Sequence, residues 1–111
     1  MALTFNDYQQ RAAETAKYPN VGSNPIYPTL GLAGEAGEVC EKVKKVIRDQ
    51  NGQFDEAAIL AIQKELGDVL WYVARLAAEL GLDMEQVAAV NLDKLASRKE
   101  RGQLSGSGDN R

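Results

Sequence analysis

From Thr29 to Leu80 the apolar residues return at steps of three and four, in two blocks separated by Asn51-Gly52-Gln53-Phe54-Asp55. That period belongs to a helix with one buried stripe, so two such blocks in succession force the chain to pack helix on helix. In the first block Leu32, Ala36, Val39, Val43 and Val46 form the seam. In the second it is Ile59, Ile62, Leu66, Val69, Val73, Leu76 and Leu80.

Punctuation sets the limits of the helices. Thr29 is a plausible cap for the first block, which runs to about Asp49, and Asn51-Gly52 supplies the stop. Asp55 caps the next helix, which continues through Trp71 to Leu80 before Gly81. An earlier helix runs from Thr4 or Asn6 to Lys17, and a last one, capped by Asp83, reaches about Glu100. Asn20 to Pro28, rich in Gly, Ser, Asn and Pro, reads as a loop. Gly102 to Arg111 has the composition of a flexible or site-covering tail. The expected fold is therefore all-α, a four-helix bundle-like single domain over residues 1–111.

A chain of 111 residues buries little surface per residue. Leu70, Trp71, Ala74 and Ala77 also widen the apolar arc of the third helix beyond one seam. Both features predict a homo-oligomer, a tetramer in preference to a dimer. The formal charge of −3, with both signs interspersed, offers no continuous basic surface for polymeric nucleic acid. There is no apolar run of the roughly 20 residues that span a bilayer and no signal-peptide pattern, so a cytoplasmic protein without a membrane partner is expected.

The chain has no histidine and a single cysteine, Cys40, read as a small core hydrophobe. Serine–histidine–aspartate catalysis, histidine zinc sites and the glutamate–histidine pairs of di-iron bundles are thereby excluded. Chemistry is left to carboxylates, lysine, arginine and tyrosine.

Beside the first seam runs a polar stripe, Gly31, Glu35, Glu38, Lys42 and Lys45; beside the second run Glu65, Asp68, Tyr72 and Arg75. Helices packed side by side would turn the two acidic pairs toward one groove. Four carboxylates so placed repel unless a hard divalent cation joins them, and magnesium suits oxygen ligands while keeping positions for water and phosphate. Solvated glutamates, with Glu38 paired to Lys42 at i, i+4, are the competing reading. Gly31, Gly34 and Gly37 each cost a helix interior roughly 1 kcal/mol relative to alanine, which suggests close approach by a helix or a ligand, or else a loosely formed helix start. In the last helix Asn91, Lys94 and Arg98 share a stripe suited to phosphate oxygens, or to plain solvation.

Gly31-Leu32-Ala33-Gly34-Glu35-Ala36-Gly37-Glu38-Val39 and Lys64-Glu65-Leu66-Gly67-Asp68-Val69-Leu70-Trp71-Tyr72 resemble the paired ExxE and ExxD signature of the MazG-like, all-α nucleoside triphosphate pyrophosphohydrolases. Asn91-Leu92-Asp93-Lys94-Leu95 with Arg98, Tyr8-Gln9, and Gly106-Ser107-Gly108-Asp109-Asn110-Arg111 are similar to further parts of small members of that family. The resemblance implies magnesium, with manganese as a substitute, held by Glu35, Glu38, Glu65 and Asp68. It also implies cleavage of a nucleoside triphosphate between its α- and β-phosphates, releasing the monophosphate and pyrophosphate.

Within that expectation Glu35 or Glu38 takes the proton of the attacking water, and Lys42, Lys45, Asn91, Lys94 and Arg98 contact phosphate. Tyr72 meets sugar or base, or packs at the edge of the seam. The segment from Tyr18 to Pro28 is the candidate for base selection. The rival expectation is a catalytically inactive helical interaction module built on the same fold.

Overall fold

The structure, a computed structural model, describes residues 2–111. It contains four helices, α1 (Phe5–Ala13), α2 (Ile26–Asp49), α3 (Glu56–Glu79) and α4 (Met84–Glu100), and no strand among the described residues. Thr4 opens α1 with a reciprocal capping box: its hydroxyl accepts from the Asp7 N–H while Asp7 accepts from the Thr4 N–H. Asp55 and Asp83 cap α3 and α4 as their positions predict, accepting from Ala58 and Gln86 N–H.

Two boundaries differ from the sequence reading. Helix α1 ends at Ala13 rather than Lys17. Thr15 leaves the helix, donating its hydroxyl to Ala12 O and accepting from Trp71 Nε1 at 2.9 Å. Helix α2 begins at Ile26, ahead of Thr29. Pro28 lies in the first turn, where an absent N–H costs nothing, and Asn24 Oδ1 accepts from Tyr27 N–H in place of the expected threonine cap.

Helices α2 and α3 form an antiparallel hairpin that brings Lys42 to Glu65 and Gly31 to Tyr72. A small core lies at the other end, where Ala12 of α1, Ala74 and Ala77 of α3 and Met84 of α4 are buried together, with Tyr8, Leu70, Trp71 and Val73 packed around them. Gln9 ties these elements: its amide donates to Ala74 O and Leu82 O, and its carbonyl accepts from Met84 N–H.

The four helices do not close round one core. Helix α2 packs on α3 alone, whereas α1 and α4 pack on α3 and on each other. The radius of gyration is 16.8 Å, against roughly 13 Å for a compact chain of this length. The accessible surface is 7938 Å², about 1,900 Å² more than a compact monomer of this mass exposes.

The expected seams are also displaced. Leu66 is 53% exposed and Ile59, Leu80 and Ala36 are exposed too, while Gly31 meets Tyr72, Glu35 meets Glu65 and Asp68, Lys42 reaches Glu65, and Val46 and Ala58 lie buried beside one another. Part of each polar stripe, Gly31, Glu35 and Lys42 on α2 and Glu65 and Tyr72 on α3, thus faces inward between the helices, and part of each apolar stripe faces out.

Candidate metal centre

Because the hairpin turns these parts of the polar stripes inward, Glu35 of α2 meets Glu65 and Asp68 of α3, and one carboxylate oxygen from each lies within 4.8 Å of the others. Glu35 and Glu65 are half-buried; Asp68 is exposed. Burial, followed by the charges of Asp68, Glu65 and Glu38, raises the Glu35 carboxyl above the ordinary carboxylate range. The group therefore concentrates negative charge in a partly desolvated place, with Lys42 as the one cation in ion-pair range among the described residues.

These residues fit a hard cation. Oxygen donors alone, from two helices, with water access past Asp68, suit magnesium or manganese and offer nothing to a thiolate- or imidazole-seeking metal. Glu38 stands outside the close group and is exposed, yet near enough for its charge to act on Glu35. Lys42 does not pair with Glu38; its ammonium lies 4.0 Å from Glu65. Lys42 and Lys45 line one cavity of about 290 Å³ with Val46, Gln50 and Ala58, adjoining the acidic group toward the closed end of the hairpin.

On the other side of the acids stands Tyr72. Its ring lies against the Cα of Gly31, where a β-carbon would overlap it. The close approach expected of the glycines is thus realised at Gly31, whereas nothing in the chain lies beside Gly34 or Gly37. The Tyr72 hydroxyl is raised by burial and by its neighbours Tyr27 and Glu35. Tyr27 in turn stacks on Tyr18, ring centroids 4.8 Å apart.

Continuing the stripe Glu65, Asp68, Tyr72 by further helical steps reaches Arg75 and Glu79, two residues that anchor the loop before α2. The Glu79 side chain has no accessible surface. It accepts from Tyr18 OH at 2.6 Å, Gly22 N–H at 2.8 Å and Asn24 N–H at 3.1 Å, with Arg75 Nη2 at 3.7 Å. These hydrogen bonds hold its carboxyl below the usual range. The sequence reading did not single out Glu79, although its place at i+4 from Arg75 on the same stripe was the available signal.

The remaining expected residues lie elsewhere in the chain. Helix α4 does not touch α2. Asn91 is exposed, and Lys94 and Arg98 are engaged by Asp109 rather than by the acidic group. Within one chain, then, Glu35, Glu65, Asp68, Lys42 and Tyr72 come together, with Glu38 and Lys45 close by, and the α4 stripe stands apart.

The chain is all-α, and its two longest helices, packed side by side, present carboxylates that converge on one place. The family model for the MazG nucleotide pyrophosphohydrolase domain matches residues 27–102. The chain belongs to that family. It is also similar to the Gene 37 protein of Mycobacterium phage L5, 49% identical over 109 residues that cover 94% of this chain and 96% of the relative. No solved structure matches the chain.

Proposed function

We propose that the protein is a nucleoside triphosphate pyrophosphohydrolase that uses magnesium, or manganese in its place, to convert a nucleoside or deoxynucleoside triphosphate to the monophosphate and pyrophosphate. The observation that carries this reading is the convergence of Glu35, Glu65 and Asp68 across the α2–α3 contact. Family membership supports the reaction class.

Glu35, Glu65 and Asp68 would hold the cation, with Glu38 completing the set from the next turn of α2. A bound divalent ion supplies charge neutralisation of the triphosphate and a more acidic water. The chain's own groups do the rest. Glu38, exposed and not committed to another partner among the described residues, accepts the proton of the water that attacks the α-phosphorus. Lys42 and Lys45 face the departing pyrophosphate, whose charge grows as the α–β bridge breaks. Tyr72, fixed by Gly31, orients the nucleoside end, and the loop clamped by Glu79 limits which base enters.

A second copy of the chain is part of this reading. The surplus surface of about 1,900 Å² on one chain is roughly twice the 800 Å² or so that each partner buries in a standard protein interface. Leu30, Ile47, Ile59 and Leu66, all at least half exposed, provide the apolar contact. We favour a tetramer over a dimer, working in the cytoplasm on free nucleotides. No helix is long and apolar enough to cross a membrane.

The same uncovered α2 face favours one competing reading, an inactive assembly module. Incubating the protein with magnesium and a full panel of ribo- and deoxynucleoside triphosphates separates them. Release of pyrophosphate from at least one nucleotide is expected; none from any would transfer the assignment to the module.

A further inference from the structure

The segment after α4 is a shaped loop rather than a free linker. Arg111 gathers three carbonyls, donating to Gly108 O at 2.7 Å and to Gln103 O and Leu104 O at 3.2 Å. Its own carbonyl accepts from Arg101 Nη2, and Gln103 N–H closes on Arg98 O at 2.7 Å. Gly106 and Gly108 adopt φ of +113° and +89°, which a side chain would strain.

This loop delivers one residue back to the helix. Asp109 Oδ1 accepts from Lys94 Nζ at 2.9 Å and from Arg98 Nη2 at 3.2 Å, and Asp109 O accepts from the same Nη2 at 2.6 Å. Arg98 is only 5% exposed and its Nε has no partner among the described residues. Two cations thus meet one carboxylate, leaving a net positive charge and an unspent buried donor. A phosphate group, with more oxygens and more charge, satisfies that pair better than Asp109 does.

We propose that the loop 103–111 is an intramolecular cap whose Asp109 occupies the Lys94–Arg98 anion site and yields it to a ligand that carries several phosphates. The inference rests on the proposed function only for the identity of that polyanion. The Asp109 side chain is 80% exposed and Leu104 is exposed as well, so the cap is held by polar contacts and is released without uncovering an apolar core. Occupation by Asp109 lowers affinity for weak single anions and favours ligands that carry several charges.

The test uses inorganic tripolyphosphate without metal, so that the acidic group repels the probe, and the Lys94→Ala background separates binding at the cation pair from binding at Lys42 and Lys45. Calorimetry at fixed ionic strength should show Asp109→Asn binding tripolyphosphate roughly tenfold tighter than the wild type, a gain that vanishes in the Lys94→Ala background. In the wild type, saturating tripolyphosphate should speed hydrogen exchange at residues 103–110. Equal or weaker binding by Asp109→Asn, or a loop that stays protected at saturation, overturns the cap. If the cap opens but no nucleotide releases pyrophosphate, the cap stands and the enzyme assignment falls; hydrolysis with a permanently closed loop has the reverse meaning.

Discussion

The ring of Tyr72 lies over Gly31, in the space a β-carbon at that position would need. This contact fixes the register of α2 on α3 one turn from Glu35 and Asp68, so it positions the acidic group as well as the tyrosine. Gly31→Ala would gain roughly 1 kcal/mol of helix propensity but force overpacking of about 1–3 kcal/mol. The expected outcome is a lower melting temperature with altered near-ultraviolet dichroism from Tyr72 and Trp71. An unchanged melt and spectrum would show that the helices do not meet there.

Magnesium should stabilise the protein, because a cation relieves the repulsion among Glu35, Glu65 and Asp68. At a concentration 100 times its dissociation constant the gain is about 2.7 kcal/mol, several degrees of melting temperature for a chain this size. Glu35→Gln should raise the melting temperature in chelator, since it removes a carboxyl that burial and its acidic neighbours raise, and should blunt the response to magnesium. A wild-type melt indifferent to magnesium and manganese would argue against the site.

Glu38→Gln tests the base. Turnover is expected to fall by about 100-fold or more with little change in helical circular dichroism, since Glu38 is exposed and supports no packing. Retained activity would remove Glu38 from the mechanism.

Glu79 gives the loop a pH dependence of definite sign. Its folded carboxyl sits below the ordinary glutamate value of about 4.3, so its contribution to stability is fully present above that value and disappears as pH falls through the lower, folded one. Protection of the Gly22 and Asn24 amides, taken relative to the intrinsic exchange rate at each pH, should therefore fall on acidification, and Glu79→Gln should show fast exchange there already at neutral pH. Slow exchange in that variant would mean the carboxylate is not the anchor.

Assembly is checked by light scattering. A mass of two or four chains is expected, with Leu66→Lys shifting it toward one. A wild-type mass of a single chain would remove the partner from the proposal.

Much of this was readable from local chemistry. Helix number, the Asp55 and Asp83 caps and the acidic pairs all follow from residue type and spacing over a few positions. The facing of the hairpin did not follow. Apolar periodicity named Leu66 and Ile59 as interior, whereas the chain turns Glu65 and Tyr72 inward and leaves those two uncovered. A seam in sequence says that a face will be covered, not by what. The clamp on Gly22 and Asn24 and the return of Asp109 to α4 were equally hidden, because their partners lie far along the chain or in segments whose composition suggests looseness.

Helix α2 leans on one other helix only, so Glu35 and Glu38, half of the proposed cation-binding set, are carried by an element with no second helix behind it in its own chain. With copies pairing as proposed, folding and association would be linked by mass action, and the intact centre would become a function of how much protein is made. Below the concentration at which copies meet, α2 should fray first and expose the carboxylates to proteases, so that a dilute preparation loses activity by degradation before it loses it by inhibition.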